Sequence, residues 1–165
     1  MMDRLKELEH DGYQFEGAES SFELLVRKEL GRYRPFFEIE DFKVIGETGN
    51  GDSSFSAYAM VKVRVDDQVK ITAAEGDGPV NALDKALRES LEGFFPALRN
   101  IYLTDYKVRI LDTREATAAI VRVLIETTDG KEKWSTIGVS TDIIGASLKA
   151  LVDSLEVKLI KDVEQ

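Results

Sequence analysis

Apolar side chains follow two different periods along the first half of this chain. Between residues 54 and 65 they occupy every second position, which predicts a β-strand with one buried face. Between residues 79 and 92 they recur at intervals of three and four, which predicts an amphipathic helix. Segments 36–45 and 69–75 are also typical of strands, and Gly49-Asn50-Gly51 is a hairpin signal between the first two strands. The first half therefore predicts three strands followed by one helix.

The second half of the chain repeats the first at a separation of 64 positions. Asp41-Phe42-Lys43-Val44 recurs as Asp105-Tyr106-Lys107-Val108, and Lys85-Ala86-Leu87 recurs as Lys149-Ala150-Leu151. A further helix is predicted from about residue 142 to residue 157. Such a repeat indicates two copies of one unit, because each copy has an apolar sheet face that its twin can cover. We expect an α+β fold of duplicated βββα units with pseudo-twofold symmetry.

Residues 1–34 do not follow the βββα pattern of the two repeats. They predict a charged helical piece over residues 3–11 and a second helix that begins with the capping box Ser20-Ser21-Phe22-Glu23. The apolar stripe expected on the second helix consists of Phe22, Leu25, Val26 and Leu30. Two such short helices have too little core to stand alone, so we interpret residues 1–34 as a helical interdomain linker. The globular domain is then 35–165, with repeat one at about 36–95 and repeat two at about 100–161.

Composition excludes several classes of function. The net charge of −9 argues against nucleic-acid binding, which needs clustered Lys and Arg. There is no cysteine, which fits a reducing, cytoplasmic setting, and no apolar run of the roughly 20 residues that a membrane span needs. The single histidine, His10, lies at the end of a short helix without a partner motif. We therefore expect no catalytic residues and no metal site in this chain.

A glycine turn connects the third predicted strand to its helix. It reads Gly76-Asp77-Gly78-Pro79-Val80-Asn81, and Pro79 suits the first helical turn because it lacks an N–H. The free N–H groups at such a helix start favour a carboxylate or phosphate. A purely structural role is the alternative, because strand-to-helix turns use glycine whether or not anything binds. A second such start is expected at residues 138–143, where Ser140, Thr141 and Asp142 are ordinary N-cap residues.

Three segments resemble the C-terminal regulatory domain shared by 2-isopropylmalate synthase and citramalate synthase. They are residues 76–83, residues 138–147 and Ala150-Leu151-Val152-Asp153-Ser154-Leu155-Glu156. Residues 7–19 also look like the linker of this family, of the citramalate branch in particular. The family usually has Asn where this chain has Asp77 and Asp142. A carboxylate that points towards an anionic ligand would repel it, whereas one that caps its own helix would not.

The resemblance implies a regulatory function. The parent would be a cytoplasmic enzyme of branched-chain amino-acid biosynthesis that condenses acetyl-CoA with a 2-oxo acid, and its TIM barrel would lie outside this chain. Acetyl-CoA and a divalent metal would belong to that barrel, and this chain would hold no cofactor. The implied partners are a second copy in a homodimer, the enzyme's own barrel and an amino-acid effector, isoleucine or leucine. The alternative is a purely structural dimerisation domain that binds no effector.

The resemblance also implies an effector pocket lined by the glycine turn and by the first strands of repeat two. The turn residues are Gly76, Asp77, Gly78, Val80, Asn81 and Ala82. The strand residues are Leu103, Tyr106 and Ile110, with Ala118 and Ile120 as further wall residues. The pattern alone favours core packing as the role of Leu103, Tyr106 and Ile110.

Overall fold

The fold was analysed in a computed structural model that describes residues 1–48, 55–111 and 119–164. In chain order these residues form α1 (Met2–His10), α2 (Glu19–Glu29), β1 (Glu38–Thr48), β2 (Phe55–Val65), β3 (Gln68–Gly76), α3 (Pro79–Glu92), a 3-10 helix (Pro96–Asn100), β4 (Tyr102–Leu111), β5 (Ile120–Thr128), β6 (Lys133–Ser140) and α4 (Ile143–Glu164). They divide into two compact units: Pro35–Arg99, and Met1–Arg34 together with Asn100–Gln165.

The first unit is a three-stranded antiparallel sheet, in the order β1-β2-β3, with α3 packed on β2 and β3. The alternating residues of β2 form the buried side of the sheet, as predicted: Ala57, Ala59, Val61, Val63 and Val65. Leu83, Leu87 and Leu91 of α3 are completely buried. Asp66 and Asp67 make the tight turn between β2 and β3, and Asp66 adopts a positive φ of 52°. The hairpin signal Gly49-Asn50-Gly51 lies outside the described residues, although β1 and β2 pair as a hairpin would.

The second unit contains the same arrangement, with the sheet order β4-β5-β6 and α4 packed on β5 and β6. Val123 and Ile125 are fully buried. Polar groups beneath α4 are satisfied: Thr127 and Ser154 share a 2.6 Å hydrogen bond, and Trp134 Nε1 donates to the Ser154 carbonyl at 3.1 Å. The helix predicted to end at residue 157 continues to Glu164.

The duplication extends to irregular features of the backbone. Each repeat has a register shift in its first strand, between Ile39 and Asp41 in β1 and between Leu103 and Asp105 in β4. In both, the aspartate carboxylate accepts the N–H of the next residue at 2.9 Å. Matching bulges at a separation of 64 positions confirm the duplicated βββα units. The pseudo-twofold symmetry between them stays a prediction.

Helices α1 and α2 belong to the compact unit that contains the second repeat, and α2 packs against β6 and α4. The predicted capping box is wrong, because it made Ser20 the N-cap, whereas the N-cap of α2 lies two residues earlier, at Ala18, and makes no side-chain hydrogen bond. Ser21 bonds to the second repeat instead, and Glu23 pairs with Arg27. The predicted stripe is shifted as well: Leu24 is buried, whereas Phe22 is 40% exposed. The role of residues 1–34 as an interdomain linker stays a prediction.

Candidate functional site

The turn between β3 and α3 leaves the start of its helix without a side-chain cap. Gly78 is the N-cap, with extended backbone (φ −159°, ψ 174°), and Pro79 occupies the first helical turn as predicted. The Ala82 N–H donates to the Gly78 carbonyl at 2.9 Å, which closes the first turn of α3. Because no side chain caps α3, the N–H groups of Val80 and Asn81 in its first turn are available to an external acceptor.

Of the two glycines of this turn, only Gly76 is required by the packing of the backbone. A Cβ atom at position 76 would lie 2.4 Å from the Ala82 amide nitrogen, so only glycine allows the end of β3 to approach α3 this closely. A Cβ atom at position 78 would have no other atom within 4 Å. Since the backbone of Gly78 is extended, any residue could adopt it. The small size of Gly78 therefore leaves open space beside the helix start.

The remaining predicted turn residues surround this opening. Asn81 is exposed, and its side-chain oxygen accepts the Asp77 N–H at 3.1 Å, which ties the turn to the first helical residues. Asp77 is exposed, Val80 is half-buried and Ala82 is completely buried. The six predicted residues thus share one turn, with Gly76 and Ala82 on its core side.

The corresponding turn before α4 is built differently. Oδ1 of Asp142 accepts the Gly145 N–H at 2.7 Å, so this helix start is capped by its own side chain. Gly138 was predicted to lie in this turn. It lies inside β6 instead. A Cβ atom there would lie 1.9 Å from the Ala146 carbonyl oxygen, so Gly138 serves the close packing of β6 against α4. The Asp142 carboxylate therefore caps α4, whereas the start of α3 has no side-chain cap.

The predicted strand residues share one face of the second sheet. Leu103, Tyr106 and Ile110 lie opposite Thr127, Ile125 and Val121. A spacing of three residues would normally place Leu103 and Tyr106 on opposite faces, but the bulge at Thr104 brings them to the same one.

Burial varies along the strip formed by Leu103, Tyr106 and Ile110. Leu103 and Tyr106 are half-buried, and Ile110 is 70% exposed. The Tyr106 hydroxyl lies 2.8 Å from Oγ of Ser147 on α4, and burial raises the pKa of Tyr106. Ile120 is half-buried opposite Leu111, and Ala118 lies outside the described residues. Sequence reasoning missed Ser147, whose only signal is a hydroxyl on an otherwise apolar helix face.

The turn residues belong to one compact unit and the strand residues to the other, so their convergence on one effector stays a prediction. In the part of the chain that the structure describes, no group of three or more His, Asp or Glu side chains is placed to hold a metal ion. In the same part, no helix is long and apolar enough to cross a membrane.

Comparison with known proteins gives a consistent result. The model of the family "LeuA allosteric (dimerisation) domain" matches residues 16–159. The chain is 49% identical over 164 residues to the (R)-citramalate synthase of Geobacter sulfurreducens, an alignment that covers 99% of this chain and 31% of that enzyme. It is 46% identical over 165 residues to the (R)-citramalate synthase of Aquifex aeolicus, an alignment that covers 100% of this chain and 31% of that enzyme.

A more distant similarity extends to a second kind of enzyme. The 2-isopropylmalate synthase of Aquifex aeolicus is 33% identical over 133 residues, which are 78% of this chain and 24% of that enzyme. In each of these comparisons the chain spans less than a third of the relative's length.

Proposed function

Since the chain belongs to the LeuA allosteric (dimerisation) domain family, we propose that it is the regulatory part of a synthase of the citramalate or 2-isopropylmalate type. In this proposal it binds a branched-chain amino acid, isoleucine or leucine, as a feedback inhibitor. The parent enzyme condenses acetyl-CoA with a 2-oxo acid on a separate metal-dependent barrel. It works in the cytoplasm as a homodimer.

The observation that carries the proposal is the uncapped start of α3. Its N-cap, Gly78, offers backbone amides and open space where the equivalent residue of the second repeat, Asp142, provides its own carboxylate. A helix start with free N–H groups and the positive end of the helix dipole suits the carboxylate of an amino acid. The exposed carboxylate of Asp77 is available to the ammonium group.

The aliphatic side chain of the effector needs an apolar surface. The strip formed by Leu103, Tyr106 and Ile110 is only partly buried, and complete burial of a branched side chain contributes about 1.5–3 kcal/mol. Feedback inhibition further requires that the effector bind two states of the dimer differently, with a coupling free energy of about 1–3 kcal/mol.

Titration calorimetry of this chain with isoleucine and leucine tests the proposal. The decisive variant is Gly78→Asp, because its new carboxylate would cap α3 as Asp142 caps α4 and would compete with the effector for the same amides. Gly78→Ala is the matched control, since it adds the Cβ atom without the charge. We expect Gly78→Asp to be about 1 kcal/mol more stable than Gly78→Ala and to lose amino-acid binding, while Gly78→Ala retains it. Equal binding by the two variants, or no heat with either amino acid at millimolar concentration, contradicts the proposal.

The alternative is a purely structural dimerisation domain. The hydrogen bond between the Asp77 N–H and the Asn81 side chain favours it, because this bond stabilises the turn without a ligand. This alternative predicts a dimer in analytical ultracentrifugation whose stability is the same with and without amino acids.

A further inference from the structure

A cavity of about 430 Å³ lies on the second sheet, within the compact unit that holds α1, α2 and the second repeat. Its lining combines basic, acidic and apolar side chains: Gln14, Glu16, Lys107, Val108, Arg109, Arg122, Leu124 and Ile137. The volume falls within the range of small-molecule sites. None of these residues belongs to the proposed effector site.

Two arginines lie side by side in the lining of this cavity. Arg109 of β4 and Arg122 of β5 are direct register partners, and like charges in that position repel each other. Burial, together with the charge of Arg109, lowers the pKa of Arg122. Within residues 1–48, 55–111 and 119–164, neither guanidinium forms an ion pair. Uncompensated positive charge at one point of a chain with a net charge of −9 favours an anionic ligand.

The backbone just after α1 holds Arg122 in place through a hydrogen bond. Nη1 of Arg122 donates to the Gly12 carbonyl at 3.1 Å. Position 12 favours glycine, because its φ is +107° and a Cβ atom there would lie 2.7 Å from Cδ1 of Leu111. A single bond to Gly12 leaves other N–H groups of the guanidinium free to bind a carboxylate, for which its planar shape is suited.

Apolar residues form the rest of the surface. Leu124 lies beside Arg122 along the strand register, opposite Ile137 of β6, and Ile137 is buried. Glu16 stands at the exposed rim, where its negative charge opposes a ligand that carries a second anionic group. The cavity therefore suits one carboxylate attached to a short aliphatic body.

We propose that this cavity is a second ligand site, which binds a small aliphatic monocarboxylate between Arg109 and Arg122 with its hydrocarbon part against Leu124 and Ile137. The site is separate from the uncapped start of α3. Its existence does not depend on whether that turn binds an amino acid.

The test is two-dimensional NMR of the 165-residue chain titrated with 4-methylpentanoate, which has a branched body and a carboxylate but no ammonium group. The uncharged 4-methylpentanamide is the ligand control. We expect saturable shifts at Arg109, Arg122 and Leu124 with the acid only. Arg109→Gln and Arg122→Gln should each weaken binding at least about tenfold, because a charged hydrogen bond is lost. Arg99→Gln, which removes an exposed arginine from the 3-10 helix, should leave it unchanged.

Arg109→Gln keeps the test valid if Arg122→Gln unfolds, because Arg109 is exposed and forms no ion pair with any described residue. Unchanged affinity for the acid in Arg109→Gln overturns the proposal. So does an equal response to the amide, or the absence of any shift at Arg109 and Arg122 at millimolar acid.

Discussion

The Ser21 hydroxyl donates a 2.8 Å hydrogen bond to Oδ2 of Asp153, a residue 132 positions further along the chain. Oγ of Ser21 also accepts the Ile137 N–H at 2.9 Å. One short side chain of α2 therefore joins the edge of β6 to α4. Since Ser21 and Ile137 are both buried, water cannot replace these bonds at low cost.

Replacing Ser21 with alanine should destabilise the chain. The change leaves the Ile137 N–H and the Asp153 carboxylate without this partner, and an unsatisfied buried group costs about 1–3 kcal/mol. Urea unfolding measures the effect. Ser20→Ala is the matched control, because Ser20 precedes Ser21 in the same helix and is only half-buried. Equal unfolding midpoints for the two variants would contradict the prediction.

Asp153→Asn should change how stability depends on pH. Burial raises the pKa of Asp153 above its ordinary value of 3.8, although the bond from Ser21 and the charge of Lys28 lower it in part. A carboxyl with a raised pKa binds its proton more tightly in the folded state, so its contribution to stability is lost as the pH rises. Asparagine can still accept the Ser21 hydroxyl but never ionises.

We therefore expect the wild-type chain to lose stability relative to Asp153→Asn as the pH rises above about 4. Thermal unfolding of both proteins across this range measures the difference. A difference that does not vary with pH would show that the carboxyl of Asp153 titrates alike in both states.

Tyr33→Phe should destabilise the chain through a different carboxylate. Glu156 of α4 is 1% exposed and is hydrogen-bonded to the Tyr33 hydroxyl, and burial together with the charge of Glu156 raises the pKa of Tyr33. Removing the hydroxyl takes a donor from a buried carboxylate, at a cost of about 1–3 kcal/mol. Tyr102→Phe is the control, since Tyr102 is 54% exposed. Denaturant titrations compare the two, and a Tyr33→Phe midpoint as high as that of Tyr102→Phe would refute the prediction.

Gly138→Ala should be the most damaging small substitution. Its Cβ atom would lie 1.9 Å from the Ala146 carbonyl oxygen and 2.8 Å from the Ala150 amide nitrogen. Both atoms belong to the backbone of α4, so the helix itself must move, at a cost of about 3 kcal/mol or more. Gly78→Ala enters open space and should cost less than about 1 kcal/mol. Circular dichroism during heating separates them, and a Gly138→Ala protein that melts like Gly78→Ala would contradict the observed packing of β6 on α4.

The sequence was sufficient where a local period or a repeat carries the information. The alternation in β2 and the helical spacing in α3 identified both elements, and α3 was predicted with its observed bounds. The separation of 64 positions revealed the duplication, which the bulges before Asp41 and Asp105 confirm. The resemblance to the regulatory domain was confirmed by the family match.

Sequence reasoning was wrong where a residue's role depends on a distant neighbour. Ser20 was predicted to cap α2 in the box Ser20-Ser21-Phe22-Glu23, but it lies inside the helix, and Ser21 of the same box bonds to Asp153 and Ile137. Gly138 was predicted in a turn, but it lies in β6 under α4. A serine near a helix start or a glycine near a strand end has the same local pattern in either role, so the pattern could not distinguish them.

The pattern of side chains alone determined which segments are strands and helices and that one unit occurs twice, because periodicity and repetition are properties of neighbouring positions along the chain. Only the tertiary structure decided that Gly78 stands beside open space while Asp142 caps its own helix, and that Arg109 lies beside Arg122. Those relationships depend on strand register and on the approach of a helix to a sheet, which arise only when segments distant in sequence pack together.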